Sequence, residues 1–369
     1  MATSFMPARP RVSRRVGTTD LRIDHFSAML TSIGLWQHAL GQLPDVRHGY
    51  SIDDEARGLI VALRYVEQGH ETAFFEQAAR ICFRFIENAA IVDEDADPDR
   101  LGRFHNFCDV NGAWLDKIGS DDSLGRTIWA LGVAHGINHP VAPAERAEFL
   151  LRLALPICET VTPIRSKAFA ILGLTQSTLP EATSTVEMLA DAIVDDYDEN
   201  SSLEWRWFED HMTYCNARLP HALLAASRIL PNEERYLKPA VESLDFLIES
   251  SCDENGFLSP IGNAPMENGR WFKRTEARPP MFDQQPVDAG ALVECCAMAY
   301  EITGEQRFRK AAHEAYGWYF GDNVHGLPVY EKENGGVYDA LTPTGVNLNM
   351  GAESVISIHL AAQALMRIQ

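Results

Sequence analysis

The pattern of apolar and polar positions predicts helix after helix from residue 21 onward. Apolar residues recur at intervals of three and four, and no stretch sustains the strict alternation typical of a β-strand. About twelve helical segments follow from this periodicity, over residues 21–40, 52–68, 72–90, 123–136, 143–157, 164–177, 181–197, 210–230, 233–251, 286–303, 305–320 and 351–367. The sequence therefore predicts an all-α protein.

The predicted helices alternate between two kinds. One kind is amphipathic, with a charged stripe opposite an apolar one, as in residues 72–90 and 233–251. The other kind is rich in alanine and glycine and nearly uncharged, as in residues 123–136 and 351–367. A helix that is apolar on all sides must be enclosed by protein, whereas an amphipathic helix faces solvent on its polar side.

Six exposed helices alternating with six enclosed ones predict a closed double ring of six helical hairpins, the (α/α)6 barrel. The alternative arrangement is an open α-solenoid, whose repeats keep a nearly constant length. Here the enclosed helices start at irregular intervals, which favours a closed ring. Three long connections, 91–122, 252–285 and 321–350, each lead from an exposed helix to an enclosed one. They must gather at the end of the barrel where the enclosed helices begin, and loops of this length are usually functional.

Composition limits the partners and the compartment. The formal charge is −20 and the pI is near 5.0, so nucleic acid is excluded as a natural partner by long-range repulsion. No apolar run predicts a membrane span. The seven cysteines lack metal-binding spacing and lie mostly in apolar helical patterns, which is typical of reduced cysteines in a cytoplasmic protein. We expect residues 1–20 to form a flexible arm and residues 21–369 a single domain.

The stretch from Trp205 to Pro220 carries the most distinctive candidate chemistry. Trp205 and Trp207 lead directly into Glu209 and Asp210, and two further polar residues, Asn216 and Arg218, follow. A packed core can use the aromatic rings, but it has no use for two adjacent carboxylates, which are costly to bury unpaired. Aromatic faces beside acids predict a sugar-binding site.

Polar residues also open each predicted enclosed helix, and in a closed ring they would converge. Acids at helix starts are ordinary caps and dipole partners. Arginines at the same positions oppose the helix dipole, so they are better explained by anionic ligands or by carboxylates that they orient. The residues are Asp53, Asp54 and Arg57; Asp121, Asp122 and Arg126; Arg165 and Lys167; Gln284, Gln285 and Asp288; and Glu353 with Ser354.

Two loop segments add amides beside carboxylates. Asp109 lies among His105, Asn106, Asn111 and Trp114 in the first long loop, and its alternative role is to fix that loop. In the last loop, two amide residues precede Glu353; they are Asn347 and Asn349. Amides both donate and accept hydrogen bonds, so these groups suit a ligand rich in hydroxyls.

The chain resembles the six-hairpin glycosidase superfamily over residues 20–369. More locally, the runs YSIDDEARGL, WFEDHMTYCNARLP, QQPVDAGALVE and GVNLNMGAES are similar to those of uncharacterised bacterial proteins annotated beside sugar transferases. The superfamily resemblance implies a double helical ring with a carboxylate-lined funnel, used by inverting hydrolases, phosphorolytic enzymes and uronic-acid hydrolases. Helical rings of the same general kind also serve sugar epimerases and polysaccharide lyases.

Together these patterns favour an inverting glycoside hydrolase acting on an oligosaccharide or glycoconjugate, without metal or cofactor. We expect the catalytic pair to be Asp54 and Asp210, with Glu209, Asp109 and Glu353 as reserves. Mutual repulsion between Glu209 and Asp210, with partial desolvation, should raise the pKa of one of these two carboxyls, whereas Asp288 should be mainly a helix cap. We expect Asp210 to be chemically essential. The expected sugar-binding residues are Trp205, Trp207, Trp114, Arg57, Asn216, Arg218, Gln285, Asp288, Asn347, Asn349 and His105.

Three other functions stay open at this point. A glycoside phosphorylase would use phosphate in place of water and hold it with the basic residues at the helix starts. A sugar epimerase would need a base and an acid near a ring carbon, for which His105 and His211 are candidates. A non-catalytic glycan-binding or scaffold protein of polysaccharide biosynthesis would bind sugar without turnover.

Overall fold

A computed structural model describes residues 17–93, 99–263 and 271–369. Residues 1–16 of the expected arm lie outside the described residues. Twelve α-helices occur in the described part, and their bounds are α1 Asp24–Met29, α2 Ile52–Glu67, α3 Thr72–Ala89, α4 Asp121–Ile137, α5 Ala144–Cys158, α6 Ile164–Leu174, α7 Ala182–Asn200, α8 Arg218–Ser227, α9 Glu233–Ser250, α10 Pro286–Thr303, α11 Gln306–Gly317 and α12 Ala352–Met366. Within this part of the chain, no helix is long and apolar enough to cross a membrane.

The even-numbered helices form a closed inner ring. Each packs against the next in the order α2, α4, α6, α8, α10, α12, and α12 packs back against α2. Helices α3, α5, α7, α9 and α11 each pack outside the inner helix that precedes them, and the short α1 packs against α12. The predicted (α/α)6 barrel is therefore confirmed, and the amino-terminal helix completes the sixth hairpin.

The first predicted helix, over residues 21–40, is much shorter than expected. Helix α1 ends at Met29, and the chain then turns, with the Thr31 hydroxyl accepting hydrogen bonds from the backbone N–H groups of Ile33 and Gly34. The next N–H group, that of Leu35, donates to the buried carboxyl of Glu55 in α2 at 2.5 Å. A tertiary contact with α2 therefore overrides the local helical periodicity.

The predicted helix over residues 210–230 also starts later than expected. Cys215 has a left-handed backbone conformation, with φ of 48°, and the Asn216 side chain binds both the N–H and the carbonyl of Thr213. This turn holds the chain out of a helix until Arg218. Glu209 and Asp210 consequently lie in a loop, not at a helix start.

The described parts of the connections that precede inner helices lie at one end of the barrel, hereafter called the mouth, as predicted. The described residues form four two-stranded antiparallel sheets here. Their strands are β1 Ala39–Leu40 with β2 Leu43–Pro44, β3 Tyr50–Ser51 with β4 Phe107–Cys108, β5 His211–Met212 with β6 Phe272–Lys273, and β7 Leu341–Thr342 with β8 Gly345–Val346. Two of these sheets, β3–β4 and β5–β6, join different connections. The short connections from inner to outer helices lie at the opposite end.

Helices α4 and α6 approach each other closely because both carry glycine at the crossing point. A Cβ atom on Gly132 would lie 2.1 Å from the carbonyl oxygen of Gly173, and one on Gly173 would lie 2.3 Å from the carbonyl oxygen of Ile128. Both are backbone clashes, which a side-chain rotation cannot relieve. These two glycines thus set the spacing between two walls of the ring.

We expect Gly132→Ala to lower the free energy of unfolding by roughly 1–3 kcal/mol, since the added methyl group must push two backbones apart. Urea denaturation followed by circular dichroism would measure the loss. Thr183→Ala, at an exposed position on the outer helix α7, is the control and should change it by less than about 0.5 kcal/mol. Equal stability of the two variants would contradict this account of the helix spacing.

Candidate active site

Three buried arginines stand at the mouth, each on a different inner helix. Arg57 belongs to α2, Arg126 to α4 and Arg165 to α6, and each is 5 or 6% exposed. Every one of them is paired with carboxylates, several from neighbouring segments, so they orient acids as the sequence suggested. We call the arginines and their acidic partners the mouth network.

Arg57 joins the first and last inner helices. Its Nη1 donates to Glu353 Oε2 at 2.6 Å, and its Nη2 donates to Asp54 Oδ1 at 3.0 Å. The other oxygen of Asp54 accepts from the Ser51 hydroxyl at 2.8 Å. Both oxygens of Asp54 are therefore engaged, whereas Glu353 has a side chain that is 36% exposed.

Arg126 joins α4 to α2 in the same way. Its Nη1 donates to Asp53 Oδ2 at 3.0 Å and lies 3.4 Å from Asp122 Oδ2. The Tyr214 hydroxyl donates to the same oxygen of Asp122 at 2.6 Å, while the Ser166 hydroxyl donates to the other oxygen. Asp122 thus connects three segments, and Tyr214 brings a phenol to the mouth network.

Arg165 anchors the loop that precedes α8. Its Nε donates to the carbonyl of Tyr214 at 2.7 Å, its Nη1 donates to Glu209 Oε2 at 2.8 Å, and its Nη2 donates to Asn216 Oδ1 at 3.2 Å. Glu209 and Asn216, two residues singled out in the sequence, consequently belong to the mouth network. Both are held in place by Arg165.

Asp288 lies on α10 beside the turn at Cys215. Its Oδ1 accepts from the Cys215 backbone N–H at 2.8 Å, and its Oδ2 is buried with no hydrogen-bond partner among the described residues. Because Glu353 and Arg165 both act on Asp288 electrostatically, we include Asp288 in the mouth network. An acid with one engaged and one unpaired buried oxygen is poised to hold a proton on the unpaired one.

The pKa values of the acids in this network move in opposite directions. Burial raises the pKa of Asp54 to about 7 against the pull of Arg57, and burial raises the pKa of Asp288 to about 7 against the hydrogen bond from Cys215. Burial would also raise the pKa of Glu353, but Arg57 and then Arg126 outweigh it and lower that pKa. The network therefore contains two carboxyl groups that hold a proton near neutral pH and one that stays ionised.

The expected environment of Asp210 was wrong. Its side chain is 83% exposed, and the hydrogen bond to the His211 ring lowers its pKa, with no raising by Glu209. Glu209 is turned toward Arg165. The two acids are adjacent in sequence but face different partners. Asp288, expected to be mainly a cap, has the raised pKa that the sequence predicts for one acid of the Glu209–Asp210 pair.

The tryptophans of the distinctive stretch are core residues. Trp207 is fully buried and packs edge-on against Phe208, so the prediction that it stacks on a sugar is wrong for this arrangement. Trp205 is 4% exposed and packs against Phe246 and Phe272. A buried indole offers no open face to a ligand. The partly exposed Trp114 lies in the first long loop, where its ring stacks on that of His105.

The other predicted loop residues form hydrogen bonds within and between the mouth loops. Asp109 Oδ1 accepts from two backbone N–H groups of its own loop, those of Asn111 and Ala113, and these bonds lower its pKa. Asn349 binds the Ala39 N–H and the His38 ring, while Asn347 accepts from the Asn349 N–H. The remaining two positions behave alike: His105 bonds the Asp116 carbonyl and Gln285 bonds Asn263.

Arg218 lies deeper in the barrel than the mouth network. Its Nη2 donates to Glu294 Oε1 at 2.5 Å, and its guanidinium lies 4.6 Å from the ring centre of Trp129. Sequence reasoning missed Tyr214, Cys215 and Glu294 as parts of these networks. Tyr214 and Cys215 stand between the acids and Asn216 in the distinctive stretch, so their position in the sequence could have indicated a role in the network. Nothing in the sequence indicated such a role for Glu294, because it stands alone in an apolar helix.

No protein-family model matches this sequence, and no curated protein sequence matches it either. Solved structures do resemble the fold. A sugar epimerase from a ruminal bacterium superposes with a TM-score of 0.70 at 13% identity, covering 94% of this chain and 96% of that one. A cellobiose 2-epimerase from Spirochaeta thermophila gives 0.67 at 15% identity, covering 95% and 94%.

A glycoside hydrolase shows the same likeness. An inactive variant of an α-1,6-mannanase from Salegentibacter, in complex with α-1,6-mannotetrose, superposes with a TM-score of 0.63 at 12% identity, covering 95% of this chain and 98% of that one. These structures have the six-hairpin (α/α)6 fold. At such low identity the likeness establishes the fold, over nearly the whole chain, and assigns no reaction.

Proposed function

We propose that the chain is a carbohydrate-active enzyme, an inverting glycoside hydrolase, with its active site at the mouth network. The observation that carries this proposal is the divergence of pKa values among acids of one network. Asp288 keeps a proton near neutral pH, while Glu353 on the neighbouring inner helix stays ionised. A glycosidase needs one carboxylic acid and one carboxylate, and such opposed environments supply them.

In this proposal each acid has one proton-transfer role. Asp288 gives its proton to the leaving oxygen as the bond from that oxygen to the anomeric carbon breaks. Glu353 accepts a proton from a water molecule whose oxygen attacks the anomeric carbon from the opposite face. Arg57 holds the Glu353 carboxylate in position. Asp54 also carries a proton near neutral pH, but both of its oxygens are engaged, so we place it second to Asp288.

Sugar epimerisation is the second candidate, because sugar epimerases are among the structures with the higher TM-scores. An epimerase removes a proton from the carbon beside a carbonyl group and returns one to the opposite face. His38 is the candidate acid that returns the proton. The Asn349 amide donates to its Nδ1 at 2.9 Å, and His38 lies close enough to Glu353 to act on its pKa.

One set of incubations separates these reactions. Purified protein is incubated in D₂O with cellobiose, D-mannose and α-1,6-mannotetraose, and the products are followed by NMR. Hydrolysis would give new reducing ends whose first-formed anomer is opposite to that of the substrate. Epimerisation would give a C2 epimer carrying deuterium at C2. The Glu353→Gln variant serves as the control for contaminating enzymes.

The same experiment covers two further outcomes. If the addition of inorganic phosphate yields a sugar phosphate, the reaction is phosphorolysis and not hydrolysis. Sugar binding by calorimetry without any turnover, in a broad substrate panel, would overturn the proposed enzyme and leave a glycan-binding protein.

The pH dependence of turnover is a separate prediction. Because the pKa of Asp288 is raised to about 7, its proton is lost above that pH and the hydrolytic rate should fall as pH rises through 7. The lowered pKa of Glu353 should place the acidic limb below the usual range of a glutamate. A profile of kcat/KM against pH measures both limbs. A rate that keeps rising well above pH 7 would contradict the assignment of Asp288.

A further inference from the structure

A cavity lies at the end of the barrel opposite the mouth, where the inner helices end. Its volume is about 500 Å³, within the range of small-molecule sites. All six inner helices, or the residues that directly follow them, contribute to its lining, which includes Arg64, Trp129, His221, Arg228, Glu294 and Arg367. This cavity shares no residue with the mouth network.

Two arginines share one carboxylate in the wall of this cavity. Arg218 binds Glu294 Oε1 at 2.5 Å, and both side chains are 3% exposed. Arg64 lies 3.8 Å from the other oxygen of Glu294 and keeps a side-chain exposure of 17%. Two guanidinium groups on one carboxylate leave a net positive charge at this wall. Arg64 is the more loosely held of the two and lines the cavity.

At the rim of this cavity, two arginines again share one glutamate. Arg228 and Arg367 share Glu301, at 3.6 Å and 2.8 Å. The lining arginines Arg64, Arg228 and Arg367 balance the lining glutamates Glu67, Glu294 and Glu301. Arg218, which binds Glu294 from outside the lining, adds one positive charge. In a chain of formal charge −20, a cationic cavity is a local exception that attracts anions.

The positive charges around the cavity change the pKa of His221. Burial lowers its pKa, and the charges of Arg218, Arg367 and Arg64 lower it further, so the ring is neutral at pH 7. An arginine can only donate, so His221 Nδ1 accepts from Arg218 Nη1 at 3.2 Å. The proton of the neutral ring is therefore on Nε2, which gives the cavity lining an N–H donor.

We propose that this cavity is a second ligand site, for a small organic oxyanion that carries one phosphate or carboxylate group. Arg64 and Arg228 bind the anionic group through their guanidinium forks, which match both chemistries. His221 adds a neutral donor, and the aliphatic lining covers the remainder of the ligand. The site goes beyond the proposed hydrolysis and does not depend on it.

Binding of three probes to the full chain tests this site. Inorganic phosphate, glucose 6-phosphate and glucuronate are titrated by calorimetry and by thermal melting, with sodium chloride at matched ionic strength as the blank. We expect saturable binding, with a raised melting temperature, for at least one probe. The comparison separates free phosphate, a phosphorylated sugar and a carboxylated sugar as ligands.

Variants locate the binding. Arg64→Gln and Arg228→Gln should each weaken it by about tenfold or more, since a charge-assisted hydrogen bond is lost. Arg235→Gln, which removes the same charge from the outer helix α9, should leave it unchanged. If Arg64→Gln fails to fold, the binding measured for Arg228→Gln decides whether the site is correct, since the Arg228 side chain is 55% exposed. Binding that is absent for all three probes, or that both variants retain in full, would overturn the proposal.

Discussion

Glu353→Gln is expected to reduce turnover of a glycoside substrate by at least about 100-fold, the usual cost of losing a general base. The amide keeps the size of the side chain but cannot accept a proton from water. Glu353 is the acid of the mouth network that combines a lowered pKa with a side chain reached by solvent. The effect should fall on kcat, with KM for the sugar changing much less.

Asp54→Asn is the matched control for the ion pair with Arg57. It removes the other carboxylate partner of Arg57 and leaves Glu353 in place. A structural role of Glu353 would make the two variants equally impaired. A catalytic role predicts that Glu353→Gln is the slower enzyme and that its residual rate loses the acidic limb of the pH profile. Turnover near that of the wild type in Glu353→Gln would refute the assignment.

The architecture was predictable because it depends on patterns that every helix repeats. An enclosed helix lacks a charged stripe, so the alternation of enclosed and exposed helices from α2 to α12 could be predicted from the sequence. The arginines were predictable on the same grounds: a cation such as Arg57 near a helix start opposes the dipole, so it needed an acidic partner. The structure supplies that partner in Glu353, from the other end of the chain.

The roles of individual acids were not predictable, because desolvation is set by tertiary structure. Glu209 and Asp210 are neighbours in sequence, yet Glu209 faces Arg165 while Asp210 faces solvent and His211. The turn at Cys215, which delays the start of α8, leaves both acids in a loop. Its left-handed residue is not a glycine, so the sequence carried no ordinary signal for it.

Aromatic residues posed the same difficulty. The sequence predicts that Trp205 and Trp207 stack on sugars because they precede two acids, but both are buried against other rings. An aromatic run beside polar residues indicates the edge of a core as readily as a binding surface. Only the packing of α9 and the β6 segment against Trp205 distinguishes the edge of a core from a binding surface here.

Two variants, Asp288→Asn and Asp210→Asn, test whether the catalytic acid is Asp288 and not Asp210. Asp288→Asn should lower kcat by about 100-fold or more, since an amide cannot give a proton to the leaving oxygen. Asp210→Asn should leave turnover close to that of the wild type, because its exposed carboxylate is ionised throughout the working range. Turnover of both purified variants on the same substrate measures the difference.

Thermal melts at two pH values complete this test. The pKa of Asp288 is raised from an ordinary unfolded value of about 3.9 to about 7 in the folded chain, so the stability that its protonated form contributes is full below the unfolded value and is lost as pH rises through 7. Asparagine resembles the protonated acid and keeps an oxygen for the Cys215 N–H. Asp288→Asn should therefore melt near the wild type at pH 4 and above it at pH 8. A variant that is less stable at pH 8 but fully active would return Asp288 to the role of a helix cap.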